Sequence, residues 1–216
     1  MKSDTKPSEG RVARRQRRNR VALIEAASAI MTEKGVDATT MLEIAERADV
    51  GAGTVYNYFK SKDDLALAVL ENLMHILALR IEQVTNRFDD PEQVYAFGIR
   101  TVLDEATDDP RWQQLLHRSE VIADTAYRVM GPFATRDMRQ AEAAGRFRTP
   151  DPDLIWRLTT QAIMGAALAM SEGRLTHDCR RDIIVRLLCM TGIGLEGATE
   201  LAARDRPPLP GKMSSD

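Results

Sequence analysis

The sequence predicts an all-α protein, and three observations carry that reading. Apolar residues recur at helical spacing, as in Val21, Ile24, Ala27, Ile30 and Met31. Helix-start chemistry recurs as well: Asp90-Pro91, Asp109-Pro110 and Asp151-Pro152 each set a capping Asp before a proline suited to the first helical position. Alternating β-branched runs, the mark of half-buried strands, are few.

The elements follow in order. Residues 1–16 read as a basic, disordered arm, and the first helix follows it. That helix should stop at Gly35, which comes after Lys34. Thr40-Met41-Leu42-Glu43 reads as a capping box: the Thr40 hydroxyl accepts from the Glu43 backbone, and the Glu43 carboxylate reaches back to Thr40. The short helix it opens has Leu42, Ile44, Ala45 and Ala48 as apolar positions, and Asp49 and Gly51 break it. A third helix covers about Ala52 to Tyr58. Ser61-Lys62-Asp63-Asp64 is a variant box that opens a fourth, carried by Leu65, Val69, Leu73, Ile76, Leu77 and Ile81 to about Phe88. The three Asp-Pro pairs start three more. A long helix runs from about Ser119 to Ala144, with Gly131-Pro132 as the place for a bend. A last one starts near Thr176 and holds Ile183, Ile184, Leu187 and Leu188. The stretch from Arg206, with its prolines, cannot continue a helix, so 205–216 reads as a disordered tail. The sum is three short helices followed by about six longer ones.

Composition narrows the function. The 216 residues are 44% hydrophobic and 29% charged, enough for one sizeable domain or a small one plus a larger. No apolar run approaches the ~18 residues a membrane span needs. No apolar stretch follows the N-terminal charges, so no secretory signal is expected. Cys179 and Cys189 form no CxxC pair, the three histidines fall on separate predicted helices, and a cytoplasmic protein without metal or cofactor is expected. GxSxG, HExxH and P-loop patterns are absent, which leaves no catalytic constellation and argues against an enzyme. Gly192-Ile193-Gly194-Leu195-Glu196-Gly197 is a literal GxGxxG. It lacks the βαβ context and the acidic residue ~20 positions on that a dinucleotide site needs, so its glycines read as helix-packing or helix-end residues.

Charge is uneven. Residues 11–62 hold ten Lys/Arg against six Asp/Glu, and residues 63–216 hold eighteen against twenty-four. Arg11, Arg14, Arg15, Arg17, Arg18 and Arg20 occur with no acid among them, the footprint of a segment that lies on a polyanion. The second and third helices, joined by a short turn and buried on the first, form a helix-turn-helix. Ile44, Ala48, Val50, Val55 and Phe59 can share a core with Leu23, Ala27 and Ile30. Ala52, Gly53, Thr54, Tyr56, Asn57 and Tyr58 are then left outside or at the rim. Their hydroxyls and amide suit phosphates and base edges, and their small members let a helix sit deep in the major groove.

Residues 20–65 resemble the DNA-binding domain of the TetR family of transcriptional regulators. The resemblance rests on Ala26-Ala27, Gly35, Thr39-Thr40, Ile44-Ala45, Ala48, Val50, Gly53, Val55-Tyr56, Tyr58-Phe59, Ser61-Lys62 and Leu65. It implies a head over 17–76 and a helical ligand-binding and dimerisation domain over 77–204. It also implies phosphate contacts from Thr40, Tyr56 and Tyr58, a helix-terminus contact from Lys62, and base-reading positions at Ala52, Thr54 and Asn57. Gly53 in the same helix, and Arg17 and Arg18 at the start of the head, complete the expected DNA-contact set. Two positions depart from the pattern: Asp49 stands where Gly is usual, and Gly51 where a capping Ser is usual. Direct base readout is therefore expected to be sparse, with DNA shape and the arginine arm carrying more of the specificity.

For the second domain, bulky or polar residues within apolar helical stretches are the ligand candidates: Phe97, Arg100, Leu103, Trp112, Leu116, Glu120, Tyr127, Gln161 and Met164. Ala162–Met170 is almost wholly apolar or small, which predicts burial on all sides. With the last helix it is the expected dimer interface, through Ala166, Met170, Ile184, Leu187 and Leu188. The resemblance implies a homodimeric repressor that binds a pseudo-palindromic operator and is released by a small-molecule effector through a pendulum-like shift of the fourth helix. An architectural DNA-binding protein without ligand, or a helical enzyme with an accessory DNA-binding head, stands as the alternative.

Overall fold

A computed structural model describes residues 10–113, 116 and 119–211. The first helix, α1, spans Arg11–Lys34 and ends as expected at Gly35, whose φ of 84° only glycine adopts freely. It starts earlier than the sequence suggested. Arg11–Gln16 lie inside α1 rather than in a disordered arm, because Arg, Ala and Gln propagate a helix well and nothing after Gly10 breaks it. Residues 1–9 of that arm lie outside the described residues.

Next come α2 (Met41–Arg47), α3 (Ala52–Tyr58) and α4 (Lys62–Thr85). The Ser61 hydroxyl accepts from the Asp64 backbone at 3.0 Å, as the variant box requires. The last turn of α4 unwinds at Asn86, short of the expected Phe88. The Asp-Pro pairs open α5 (Pro91–Asp108), α6 (Pro110–Gln113) and α8 (Pro152–Ser171), and α7 spans Ser119–Ala143.

The expected single last helix is two, α9 (Arg180–Cys189) and α10 (Leu195–Ala203), with a 3-10 turn at His177–Cys179 before them. Gly192 forces the break. Its φ is 85°, and a Cβ there would stand 2.9 Å from the Arg148 Cβ. The Arg148 N–H donates to the Thr191 carbonyl at 2.8 Å, so a second chain segment fills the space a continuing helix would need. The GxGxxG therefore joins two helices, and Gly194 is the N-cap of α10.

The chain divides into two compact units between Val69 and Leu70, inside α4 and seven residues before the expected boundary. Unit 1 has its own core, with Leu23, Ala27, Ile44, Val55 and Leu65 all but inaccessible. In unit 2, α5 is central and packs against α6, α7, α8, α9 and α10, while α7 and α8 pair most extensively. Trp112, Trp156 and Tyr95 are its largest fully buried side chains. Their polar atoms are satisfied where they must be: Trp156 Nε1 donates to the Tyr127 carbonyl at 3.2 Å, and Tyr95 meets the Thr159 hydroxyl at 3.3 Å. The tail is not free over 205–211. Arg206 pairs with Asp104 at 2.6 Å, and Arg80 Nε donates to the Pro210 carbonyl at 3.1 Å. Among the described residues no helix is long and apolar enough to cross a membrane.

Candidate nucleic-acid interface and effector cavity

The surface of unit 1 is built on two local devices. The first is the capping box at α2. The Glu43 N–H donates to Thr40 Oγ1 at 3.3 Å, and the Thr40 N–H donates to Glu43 Oε2 at 2.9 Å. Lys34 closes on the same carboxylate. Led by that bond and then by Thr40, these contacts hold the Glu43 carboxyl at about 2, below its ordinary 4.5.

The second device is the turn. Asp49 takes φ 53°, the left-handed conformation expected of the glycine it replaces. The Val50 N–H reaches the Ala45 carbonyl at 3.0 Å and the Asp49 N–H reaches Glu46 at 3.2 Å, the paired bonds of a Schellman ending. Gly51 caps α3 with no side-chain bond, as its lack of a hydroxyl dictates.

These devices fix which way α3 faces. Val55 and Phe59 point into the core, and the Arg20 guanidinium covers the Phe59 ring at 5.5 Å. Ala52, Gly53, Asn57 and Tyr56 are exposed, Tyr56 at 60%, while Thr54 and Tyr58 are half-buried. Ala48 and Val50, expected in the core, are half-buried because they lie at the turn. Arg17 and Arg18 are exposed on α1. Thr40 is exposed, but its hydroxyl already serves the cap. Lys62 donates to the Asp37 carbonyl at 2.7 Å, so it ties the start of α4 to the loop after α1. Leu42, an apolar position of α2 outside the expected core, is 57% exposed. Its spacing of two from Ile44 places it on the opposite side of α2, a signal present in the sequence.

Unit 2 holds a cavity of 40 Å³ between α4, α5, α7 and α8. Ala78, Ile81, Val102 and Met130 make its walls, and Tyr95, Trp156 and Asp137 supply its polar edges. Asp137 is 8% exposed, and burial raises its carboxyl above the ordinary range against the opposing pull of Arg136, which bonds it at 2.8 Å. Burial likewise pushes the Tyr95 phenol to about 12, so it stays protonated.

None of the nine ligand candidates lines this cavity. Trp112 borders a separate cleft of 120 Å³ with Leu73, Leu77 and Arg80. Arg100 and Leu103 border a groove on another side of α5. Phe97 is buried edge-on against Phe88, and Leu116 and Met164 are core. The Tyr127 ring is covered by the Arg157 guanidinium at 3.8 Å, and Gln161 is exposed. Glu120 lies in α7, and its side chain is outside the described residues. Tyr95, Asp137 and Trp156 come to this cavity from three helices, α5, α7 and α8, and no sequence spacing announces it.

Of the expected interface residues, Met170, Ile184, Leu187 and Leu188 are buried within the single chain and Ala166 is half-buried. Ala162–Met170 is not buried all round. Leu154 and Leu158 are 53% and 49% exposed, and Gln161, Ala162 and Gly165 continue an exposed stripe along α8.

Known proteins share this architecture. The family profile described as bacterial regulatory proteins, tetR family, matches residues 23–69, and that described as tetracyclin repressor-like, C-terminal domain, matches 90–204. The HTH-type transcriptional repressor KstR of Mycolicibacterium smegmatis is 30% identical over 193 residues, 84% of this chain and 91% of that protein. The crystal structure of RolR in complex with resorcinol superposes with a TM-score of 0.81 at 29% identity, covering 92% of this chain and all of that one. RolR without ligand gives 0.76 at 30% identity over 88% of this chain and all of that one. A helix-turn-helix unit with an exposed α3 face, joined to a helical unit matched by the family's second profile, leaves one assignment: the chain belongs to the TetR family and is a ligand-responsive, DNA-binding transcriptional regulator, not an enzyme.

Proposed function

We propose that the protein is a cytoplasmic, homodimeric repressor whose α3 face reads a pseudo-palindromic operator and whose unit 2 cavity takes the effector that releases it. The observation that carries this reading is the division of α3. Val55 and Phe59 anchor it, while Ala52, Gly53, Thr54, Tyr56 and Asn57 remain for a duplex. With two small residues and one amide, α3 offers few base-edge donors, so shape readout and the arginines of α1 contribute much of the binding.

The dimer face is the open stripe of α8: Leu154, Leu158, Ala162 and Gly165. Its small members permit close approach of a second copy, and its leucines supply apolar area that a lone protomer leaves in water.

The effector is a compact, hydroxyl-bearing ring. Apolar walls favour the ring, and the buried Asp137 carboxyl and the Tyr95 phenol supply an acceptor and a donor for its hydroxyls. Resorcinol in RolR is a ligand of this kind. A cavity of 40 Å³ suits a compact ligand better than a long acyl chain, and Met130 gives its wall an adaptable side chain. Ala78 and Ile81 of α4 line it, and the same helix supplies Leu65 and Val69 to the core of unit 1, so an occupant acts on an element that both units share.

Footprinting on the DNA upstream of the protein's own gene and of its divergent neighbour tests the operator; unprotected DNA there overturns the repressor reading. Resorcinol should release the protected DNA, and Asp137→Asn should raise the concentration required about tenfold or more, as loss of a charged hydrogen-bond acceptor does, with operator affinity unchanged. Unaltered release by that variant removes Asp137 from the effector site.

A further inference from the structure

A groove of 360 Å³ lies where α5, α9 and α10 meet the segment after α10. Four arginines, Arg100, Arg180, Arg181 and Arg206, border it, against one bordering carboxylate, Asp104. That carboxylate is shared: Arg206 reaches it at 2.6 Å and Arg180 at 3.8 Å. Arg180 also pairs with Asp108, yet its Nε is buried and finds no acceptor among the described residues. Among the described residues Arg100 is satisfied by backbone, donating to the Leu201 and Arg204 carbonyls at 3.3 and 2.8 Å. Arg181 is exposed and has no acidic partner among the described residues.

Positive charge is therefore gathered beyond what the local acids neutralise. Burial, then Arg206 and Arg181, weaken the hold of Arg100 on its proton, while Asp104 and Asp205 work the other way. Holding like charges together in a partly desolvated groove is unfavourable unless an anion joins them. A buried guanidinium N–H without an acceptor is a second deficit with the same remedy.

We propose that this groove is a second small-molecule site, which takes an organic anion by clamping one carboxylate or phosphate head among Arg100, Arg180, Arg181 and Arg206. Leu103, Ile184 and Ala202 form its apolar floor and receive the body of the ligand. Arginine suits such a head because its planar fork binds carboxylate and phosphate bidentately. The groove shares no lining residue with the cavity on the other side of α5, so the inference stands apart from the proposed effector site.

Calorimetric titration of the full-length protein with phenyl phosphate tests this, with benzoate and inorganic phosphate as parallel arms. One of the two organic anions should saturate at one molecule per chain, and the tighter of them identifies the head group. Arg181→Glu, at an exposed position that the fold does not need, should weaken binding by at least about tenfold, or ~1.4 kcal/mol. Arg186→Glu, on the same helix but outside the groove, should change it less than about twofold. Three results overturn the proposal: no saturable binding of either organic anion; equal loss in both variants, which marks nonspecific charge attraction; or inorganic phosphate binding as tightly as phenyl phosphate, which removes the apolar floor.

Discussion

The two units put polar residues to opposite uses. In unit 1, polar side chains work at the surface and within a few positions of one another. Thr40 and Glu43 cap each other, and Asp49 replaces a glycine in the turn. In unit 2, the polar groups that matter are buried and come from distant places in the chain. Tyr95 meets Thr159 across 64 positions, and Asp137 faces a cavity walled by α4 and α5. Local chemistry sets the angle of a helix to its neighbour, whereas burial sets what a cavity can accept. A DNA reader needs the first and an effector site the second.

The sharpest way to break this comparison is to remove the anchor of α3. Phe59→Ala should cost unit 1 about 3–5 kcal/mol and abolish operator binding, because Phe59 is 5% exposed and sets the direction of α3. Hydrogen exchange should show loss of protection confined to residues before Leu70; equal loss in unit 2 would mean the units do not unfold separately.

Tyr56→Phe comes next. The side chain is 60% exposed, so folding should not change, but operator affinity should fall about tenfold or more through loss of a hydrogen bond to phosphate. Because no charge is removed, the salt dependence of binding should stay the same, whereas Arg18→Ala should lower that slope by about one. An unaffected Tyr56→Phe would take this hydroxyl out of the interface.

Asp49→Gly should stabilise unit 1 by about 1 kcal/mol in urea titrations, since glycine meets φ 53° without steric cost. A loss of stability would show that the aspartate side chain contributes more than its strained backbone costs.

The smallest effect is in pH. Glu43 titrates at about 2 in the folded protein against an ordinary 4.5, so its contribution is full above 4.5 and is lost as pH falls toward 2. Glu43→Gln should flatten the acid limb of the melting curve of unit 1 over that window. The pair is exposed, so little should change at neutral pH.

Much of unit 1 was legible because its information is short-range. The capping box, Gly35, the limits of α3 and the outward side of Tyr56 follow from residues within a turn or two. Leu42 shows that apolar character alone does not mean burial. In unit 2 the Asp-Pro pairs announced their helices, but α10 was missed because a glycine-rich stretch reads alike as a frayed end or a new start. Bulk or polarity along a single helix marks a ligand candidate, but bulk is also what a packed core requires. Met170, Ile184, Leu187 and Leu188 are likewise buried within the single chain.

The sequence alone determined the all-α class, the caps, the turn and the side of α3 that faces out, because each depends on hydrogen bonds and periodicity within a few residues. Only the tertiary structure decided where the cavity lies, which leucines of α8 remain uncovered, and that four arginines from α5, α9 and the segment after α10 border one groove. Those outcomes depend on which helices meet, and that is a property of the packed core as a whole.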